Sequence, residues 1–202
     1  MADLFKDKAA DWDARPLPAQ ISQGVFDALK RSVALSSEQT VMDFGAGTGL
    51  ICTKLAPLVD RVLAVDISEA MLTTLAQKRE HHEGNVEIFC QDILAEPLGR
   101  EVDLVVSAMA MHHIEDTRAL LNTLREHLTV GGQLAIADLD TEEGDFHPPE
   151  TEGVFHAGFD RGMLGALLEE VGFTEPRFMT ACEVEKNAKR YPIFLVTAAR
   201  AR

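Results

Sequence analysis

Apolar residues recur along the chain in two alternating rhythms. Ile21, Val25, Leu29 and Val33 lie at four-residue steps, one stripe of a helix over residues 19–35. The apolar run from Val41 to Phe44 then reads as a strand, ends in glycines at 45, 47 and 49, and opens a second helical pattern over residues 50–58. A strand ending at Asp66 follows, and Ser68 is a natural N-cap for a helix bearing Met71, Leu72 and Leu75. Residues 86–90 and 103–108 form the next two strands, separated by a polar link over 95–99. Asp116 or Thr117 caps a helix whose apolar face is Leu120, Leu121, Leu124 and Leu128, stopped by Gly131 and Gly132, and a fifth strand covers 133–138. This alternation predicts a parallel, doubly wound sheet with right-handed crossovers and a ligand across the carboxyl ends of its strands.

The rhythm breaks at residues 140–160, an acidic stretch with Gly144, Pro148, Pro149, Gly153 and Gly158. It is too long for an ordinary structureless loop, so it is either disordered or a lid. His147, Phe155, His156 and Phe159 favour a lid over the site, because a plain spacer seldom needs such residues. Asp160 then caps a helix with Leu164, Leu167, Leu168 and Val171 facing inward, ended by Gly172, and strands over 177–184 and 193–197 form an antiparallel hairpin through the polar 185–190. Residues 1–18 read as a short helix or irregular arm. Trp12, the chain's one tryptophan, gains nothing from a solvated tail and points to a cap over the site.

The length of 202 residues suits one domain, 1–202, able to bury a sheet between helix layers. A net charge of −14 opposes a protein that tracks a phosphate backbone, so no nucleic-acid partner is expected. No apolar run reaches membrane-spanning length and residues 1–15 are too charged for a signal peptide, so no membrane partner and a cytoplasmic location are expected. Cys52, Cys90 and Cys182 lack metal-site or C-x-x-C spacing and read as buried free thiols.

The glycine stretch carries the first candidate chemistry. Gly45 and Gly47 tolerate the positive φ of a strand-to-helix turn and let a ligand approach the backbone, and the amides opening the next helix suit a negative group. The pattern is Asp-x-Gly-x-Gly-x-Gly from Asp43, however, not the dinucleotide G-x-G-x-x-G. A carboxylate beside the turn repels a pyrophosphate but suits a ligand with an ammonium group, such as the methionine end of S-adenosylmethionine.

The stretch from Val41 to Leu50 resembles motif I of the class I S-adenosylmethionine-dependent methyltransferases. Leu63 to Asp66, Asp92 after Val86 to Gln91, and Asp103 to His113 resemble three further motifs in order, the last with the paired histidines of the small-molecule, ubiquinone/menaquinone-type branch. The resemblance implies a Rossmann-like seven-stranded α/β sheet of order 3-2-1-4-5-7-6, strand 7 antiparallel, with helices on both faces. It implies S-adenosyl-L-methionine as cofactor, S-adenosyl-L-homocysteine as product and a small-molecule acceptor. Asp66 would hold the ribose hydroxyls and Asp92 the adenine amine, while Asp43, Gly45, Ala46, Gly47, Gly49, Ile67, Met71, Ile93 and Ala108 would complete the cofactor site.

Methyl transfer from a sulfonium is an in-line displacement, helped chiefly by alignment and exclusion of water. A base is needed only for an acceptor that arrives protonated, and His112, His147 and His156 are the candidates. His113 reads as a backbone-bonded residue beneath the fourth strand, and His81, His82 and His127 as solvated. No metal is expected; the alternative is a site from Asp138, Asp140 and the histidines similar to that of metal-dependent catechol-type methyltransferases. A nicotinamide oxidoreductase is opposed by Asp43 and the glycine spacing; a non-catalytic S-adenosylmethionine-binding regulator fits the same binding residues.

Overall fold

The computed structural model describes residues 3, 5–79 and 83–201. Seven strands form one sheet of order β3-β2-β1-β4-β5-β7-β6. They are β1 (Thr40–Phe44), β2 (Arg61–Asp66), β3 (Val86–Cys90), β4 (Val102–Ala108), β5 (Leu128–Leu139), β6 (Phe173–Lys186) and β7 (Lys189–Arg200). The first five run parallel, while β7 is antiparallel to both β5 and β6. The helices are α1 (Pro16–Ser32), α2 (Cys52–Leu55), α3 (Glu69–Arg79), α4 (Thr117–His127) and α5 (Arg161–Glu170).

Alternate strand positions feed two cores. Val41, Val62, Ala64, Leu104, Val106, Ala135 and Leu195 pack with Ile21, Val25 and Leu29 of α1 on one face. Met42, Leu63, Val105, Leu134, Ile136 and Phe194 pack with Leu120, Leu121 and Leu124 of α4 and Leu164 and Leu168 of α5 on the other. Both faces are therefore dry, as a sheet wound on both sides requires. The caps follow their side chains: Asp116 accepts from Ala119 N at 2.9 Å, Asp160 from Met163 N at 2.8 Å, and Ser68 Oγ from Met71 N at 3.2 Å.

Several boundaries differ from the sequence expectation, each for a local reason. α1 begins at Pro16 because prolines are tolerated in a helix's first turn. The expected helix over 50–58 shrinks to α2 plus a 3-10 turn, Ala56–Leu58, since Pro57 cannot donate to the α-helical ladder. Leu128 is the first residue of β5 rather than the last of α4, and the glycine pair lies within that strand's irregular start, with Gly131 at φ 81°. The terminal hairpin runs much further than its apolar centres, to a turn at Asn187 and Ala188 with φ of 53° and 60°.

Cys52 is buried, but Cys90 is exposed and Cys182 half-buried, against the expectation of three buried thiols. His127 is also corrected: it is 3% exposed, with Nδ1 bonded to Thr123 O at 2.7 Å and Nε2 accepting from Leu98 N at 3.1 Å. The ring thereby joins the last turn of α4 to the link before β4. His81 and His82 lie outside the described residues. Among the described residues no helix is long and apolar enough to cross a membrane.

Candidate functional site

The turn after β1 is held by its own backbone. Gly45 N and Ala46 N donate to Val65 O at 2.9 and 3.1 Å, and Gly49 N donates to Ala46 O at 2.8 Å. Gly47 N donates to Asp66 Oδ2 at 2.8 Å. These four turn amides are therefore engaged, and α2, with 4 residues, is too short to add a useful dipole to an anion site at its start.

The three turn glycines do different work. Gly45, at φ 72°, lets the chain after β4 approach, since a Cβ there would sit 2.4 Å from Ala110 Cβ. Gly49, at φ 86°, also serves the packing of α3: a Cβ there would sit 2.4 Å from Leu75 Cδ1. Gly47, at φ 54°, is the one whose Cβ would meet nothing within 4 Å. That open space is where a ligand can lie against the backbone.

Asp43 stands in β1, two residues before the turn begins. It is 2% exposed, and its Oδ2 has no hydrogen-bond partner. Burial pushes its carboxyl up to about 7; the amide of Cys52 partly offsets this and the Asp66 charge adds to it. A buried carboxylate with an orphan oxygen calls for a cation, so the residues present fit the ammonium group of S-adenosylmethionine. Asp66 accepts from Ser68 N at 2.9 Å as well as from Gly47 N, and burial still raises its pKa.

The N-terminal segment lies across this turn. Asp13 accepts from Thr48 Oγ1 and pairs with Lys78 of α3. Asp3 accepts from Ser68 Oγ at 2.9 Å, and Phe5 stands edge-on to both Trp12 at 5.9 Å and His113 at 5.4 Å. Of the other expected cofactor residues, exposed Asp92 lies just past the end of β3, its Oδ1 accepting from Leu94 N at 3.0 Å, and Ile67 is 57% exposed beside Asp66. Ala46 sits in the turn and Ala108 ends β4. The side chains of Met71 and Ile93 belong to the core, at 3% and 1% exposure.

A histidine cluster occupies the ends of β4 and β5. Met109 takes φ 58°, rare for a residue with a long side chain, and leads into a 3-10 turn, Met111–His113. His112 is 1% exposed; its Nδ1 meets Asp138 Oδ1 at 2.7 Å and its backbone N donates to Asp138 Oδ2 at 3.1 Å. Asp138 is fully buried near the end of β5. His147 Nε2 stands 3.1 Å from His112 Nε2. His113 Nδ1 bonds Gly153 O at 2.7 Å, so it ties down the segment after β5 rather than the backbone beneath β4. Burial, then the neighbouring imidazoles, push His113 down to about 4 and His147 to about 3, and both are neutral near pH 7.

Residues 140–160 are pinned at both ends. Phe159 N donates to Leu139 O at 2.9 Å, Arg161 clamps Asp140 with two bonds of 2.6 Å, and Phe155 N donates to His112 O at 3.0 Å. His156 does not join the cluster: its Nε2 is 2.9 Å from Ile114 O and 3.3 Å from Thr117 Oγ1. Phe146, 4% exposed, seats the segment against His147 and Tyr191 at 4.9 and 5.1 Å. A depression of 390 Å³ between the arm and this segment is lined by Lys8, Pro148, Glu150, Thr151 and Glu152. Sequence reasoning missed Asp13, Asp3 and Phe146, and it did not pair Asp138 with His112; only the fold brings these together.

Gly47→Val should fold with a loss of roughly 1–2 kcal/mol from its left-handed backbone, because the site has room for the side chain. It should lose binding of S-adenosylhomocysteine by calorimetry, and normal affinity in a folded variant would place the ligand elsewhere.

Residues 42–134 match the family model described as a methyltransferase domain. An uncharacterized methyltransferase of Schizosaccharomyces pombe is 34% identical over 137 residues, 60% of this chain and 48% of that protein. One of Mycobacterium tuberculosis is 35% identical over 131 residues, 65% of this chain and 63% of that protein. The chain thus spans between about half and two thirds of the length of these curated relatives. The N-methyltransferase NodS of Bradyrhizobium japonicum, solved in complex with S-adenosyl-L-homocysteine, superposes with a TM-score of 0.73 at 18% identity, covering 99% of this chain and 95% of that one. That likeness speaks for the fold. With this sheet order and these likenesses, the chain has the class I methyltransferase fold and is similar to methyltransferases over residues 42–134.

Proposed function

We propose that the protein binds S-adenosylmethionine across the ends of β1, β2 and β3 and transfers its methyl group to a small-molecule acceptor beside the ends of β4 and β5. The observation that carries this reading is the orphan Oδ2 of buried Asp43, two residues before a glycine turn that leaves open space at Gly47. When bound, S-adenosylmethionine supplies an electrophilic methyl group on a sulfonium. Asp43 would hold the ammonium group, Asp66 the ribose hydroxyls and Asp92 the adenine amine. The arm and residues 140–160 would cover the site and exclude water.

His112 has the chemistry to handle an acceptor proton. The Asp138 carboxylate can only accept, so His112 Nδ1 carries the proton and Nε2 presents its electron pair. His147 extends that polar edge, whereas His156, bonded to Ile114 O, would position the covering segment. The buried dyad favours catalysis over a purely regulatory binder, and Asp43 opposes a nicotinamide cofactor.

Incubation with methyl-labelled S-adenosylmethionine and a panel of small thiols, amines and hydroxyl compounds tests this, with label transfer expected to at least one. His156→Ala and His147→Ala should slow single-turnover transfer while leaving donor affinity within about two-fold. Weakened donor binding with an intact chemical step would instead make the segment a cofactor clamp.

A further inference from the structure

We propose that His112, His113 and His147 bind one divalent zinc ion whose remaining position faces the acceptor. A ring nitrogen of each lies within 4.8 Å of the other two. In a tetrahedral zinc site with Zn–N of about 2.0–2.1 Å, ligand nitrogens stand about 3.3 Å apart. The 3.1 Å between His112 Nε2 and His147 Nε2 is close to that spacing before any ion draws the rings into place.

The outer partners support the same assignment. A zinc-bound histidine characteristically gives its other ring N–H to a carboxylate or carbonyl, which fixes the tautomer and aims the electron pair. His112 has this partner in the fully buried Asp138, and His113 has it in Gly153 O at 2.7 Å. In both rings Nδ1 is thereby committed as donor and Nε2 holds the electron pair a metal needs; in His112 that pair now accepts from His147 Nε2, whose proton an ion would replace as the link between the two rings. Three neutral nitrogen ligands suit zinc, with one position left for water or substrate. The ligands come from two separate pieces of chain, the turn after β4 and the segment after β5. A bound ion would thus join the cover to the sheet.

The role of the open position rests on the methyltransferase reading, whereas the metal site stands on its own geometry. A thiol that replaces water there gives up its S–H proton to solvent and remains on the ion as thiolate. The acceptor would then be presented ionised. This favours a small thiol among the acceptors; with the ion bound, the electron pair of His112 Nε2 serves as ligand, and only in the metal-free protein is it open to an acceptor proton.

Protein stripped with a chelator should take up one equivalent of zinc by calorimetry. Cobalt(II) in its place should give the intense visible absorption of a low-coordinate site, and a small alkanethiol should perturb that spectrum. His147→Ala and His113→Ala should each abolish the cobalt spectrum, Asp138→Asn should weaken zinc binding about 10–100-fold, and Cys90→Ser should change nothing. Circular dichroism and retained S-adenosylhomocysteine binding in His147→Ala establish that the variant is folded. A parent protein that takes up no zinc at micromolar concentration, or an unchanged cobalt spectrum in His147→Ala and His113→Ala, overturns the site. Zinc binding without any binding of S-adenosylhomocysteine would leave the metal site standing and defeat the methyltransferase reading.

Discussion

Asp43→Asn is expected to make the free protein more stable near pH 8 while destroying its affinity for S-adenosylhomocysteine. The carboxyl ionises near 3.8 in an open chain and at about 7 in the folded protein. Between those values the folded state keeps a proton that the unfolded state has released, so stability falls as pH rises from about 4 to about 7 and the penalty is fully present above. Three pH units at about 1.36 kcal/mol each bound the penalty at roughly 4 kcal/mol. Asparagine removes the charge but leaves a buried NH2 without a sure partner, which costs about 1–3 kcal/mol. The net gain is therefore smaller than the bound. Thermal denaturation of parent and variant across this range should show the parent's advantage at low pH shrinking and reversing as pH rises. Parallel stability profiles with unchanged ligand affinity would show that the Asp43 charge is neither costly nor used.

Asp66→Ala should have the second large effect. Its carboxylate already fixes Gly47 N at 2.8 Å and Ser68 N at 2.9 Å. Hydrogen bonds to a charged group contribute roughly 1.5–3 kcal/mol each, so losing the acceptor for two ribose hydroxyls should weaken S-adenosylhomocysteine at least about hundred-fold. The same change frees two turn amides, so some loss of stability should accompany it. Asp66→Asn keeps one acceptor oxygen and should fall between parent and alanine variant. Calorimetry on the folded variants separates the cases, and parent-like affinity in Asp66→Ala would remove this residue from the site.

Local pattern carried the cofactor half of the proposed site, because each of its parts is local. Asp43, Gly47 and Asp66 sit where an apolar strand meets a turn, and that junction is visible in a few adjacent residues. The strand order came from family likeness, since periodicity carries no information on which strands become neighbours. Strand lengths were less legible: outside its apolar centre the final hairpin is polar on its exposed positions, so register extending from Phe173 opposite Arg200 to Lys186 opposite Lys189 left little trace. The histidine cluster was the least legible part. His112 and His147 are separated by |i−j| of 35, and they meet only because Phe146 is buried against Tyr191 and the intervening segment is bonded back to β5. Likewise nothing in the sequence near His127 announces that its ring accepts from Leu98 N.

Calorimetric titration of the parent protein with S-adenosylhomocysteine, and separately with NAD, at about pH 6 and about pH 7.5, tests the cofactor cradle most directly. One-site binding of S-adenosylhomocysteine is predicted, tighter by several-fold at the higher pH as Asp43 ionises to meet the ammonium group, with no heat from NAD. A folded protein that fails to bind S-adenosylhomocysteine at either pH, or that binds NAD instead, would contradict the account.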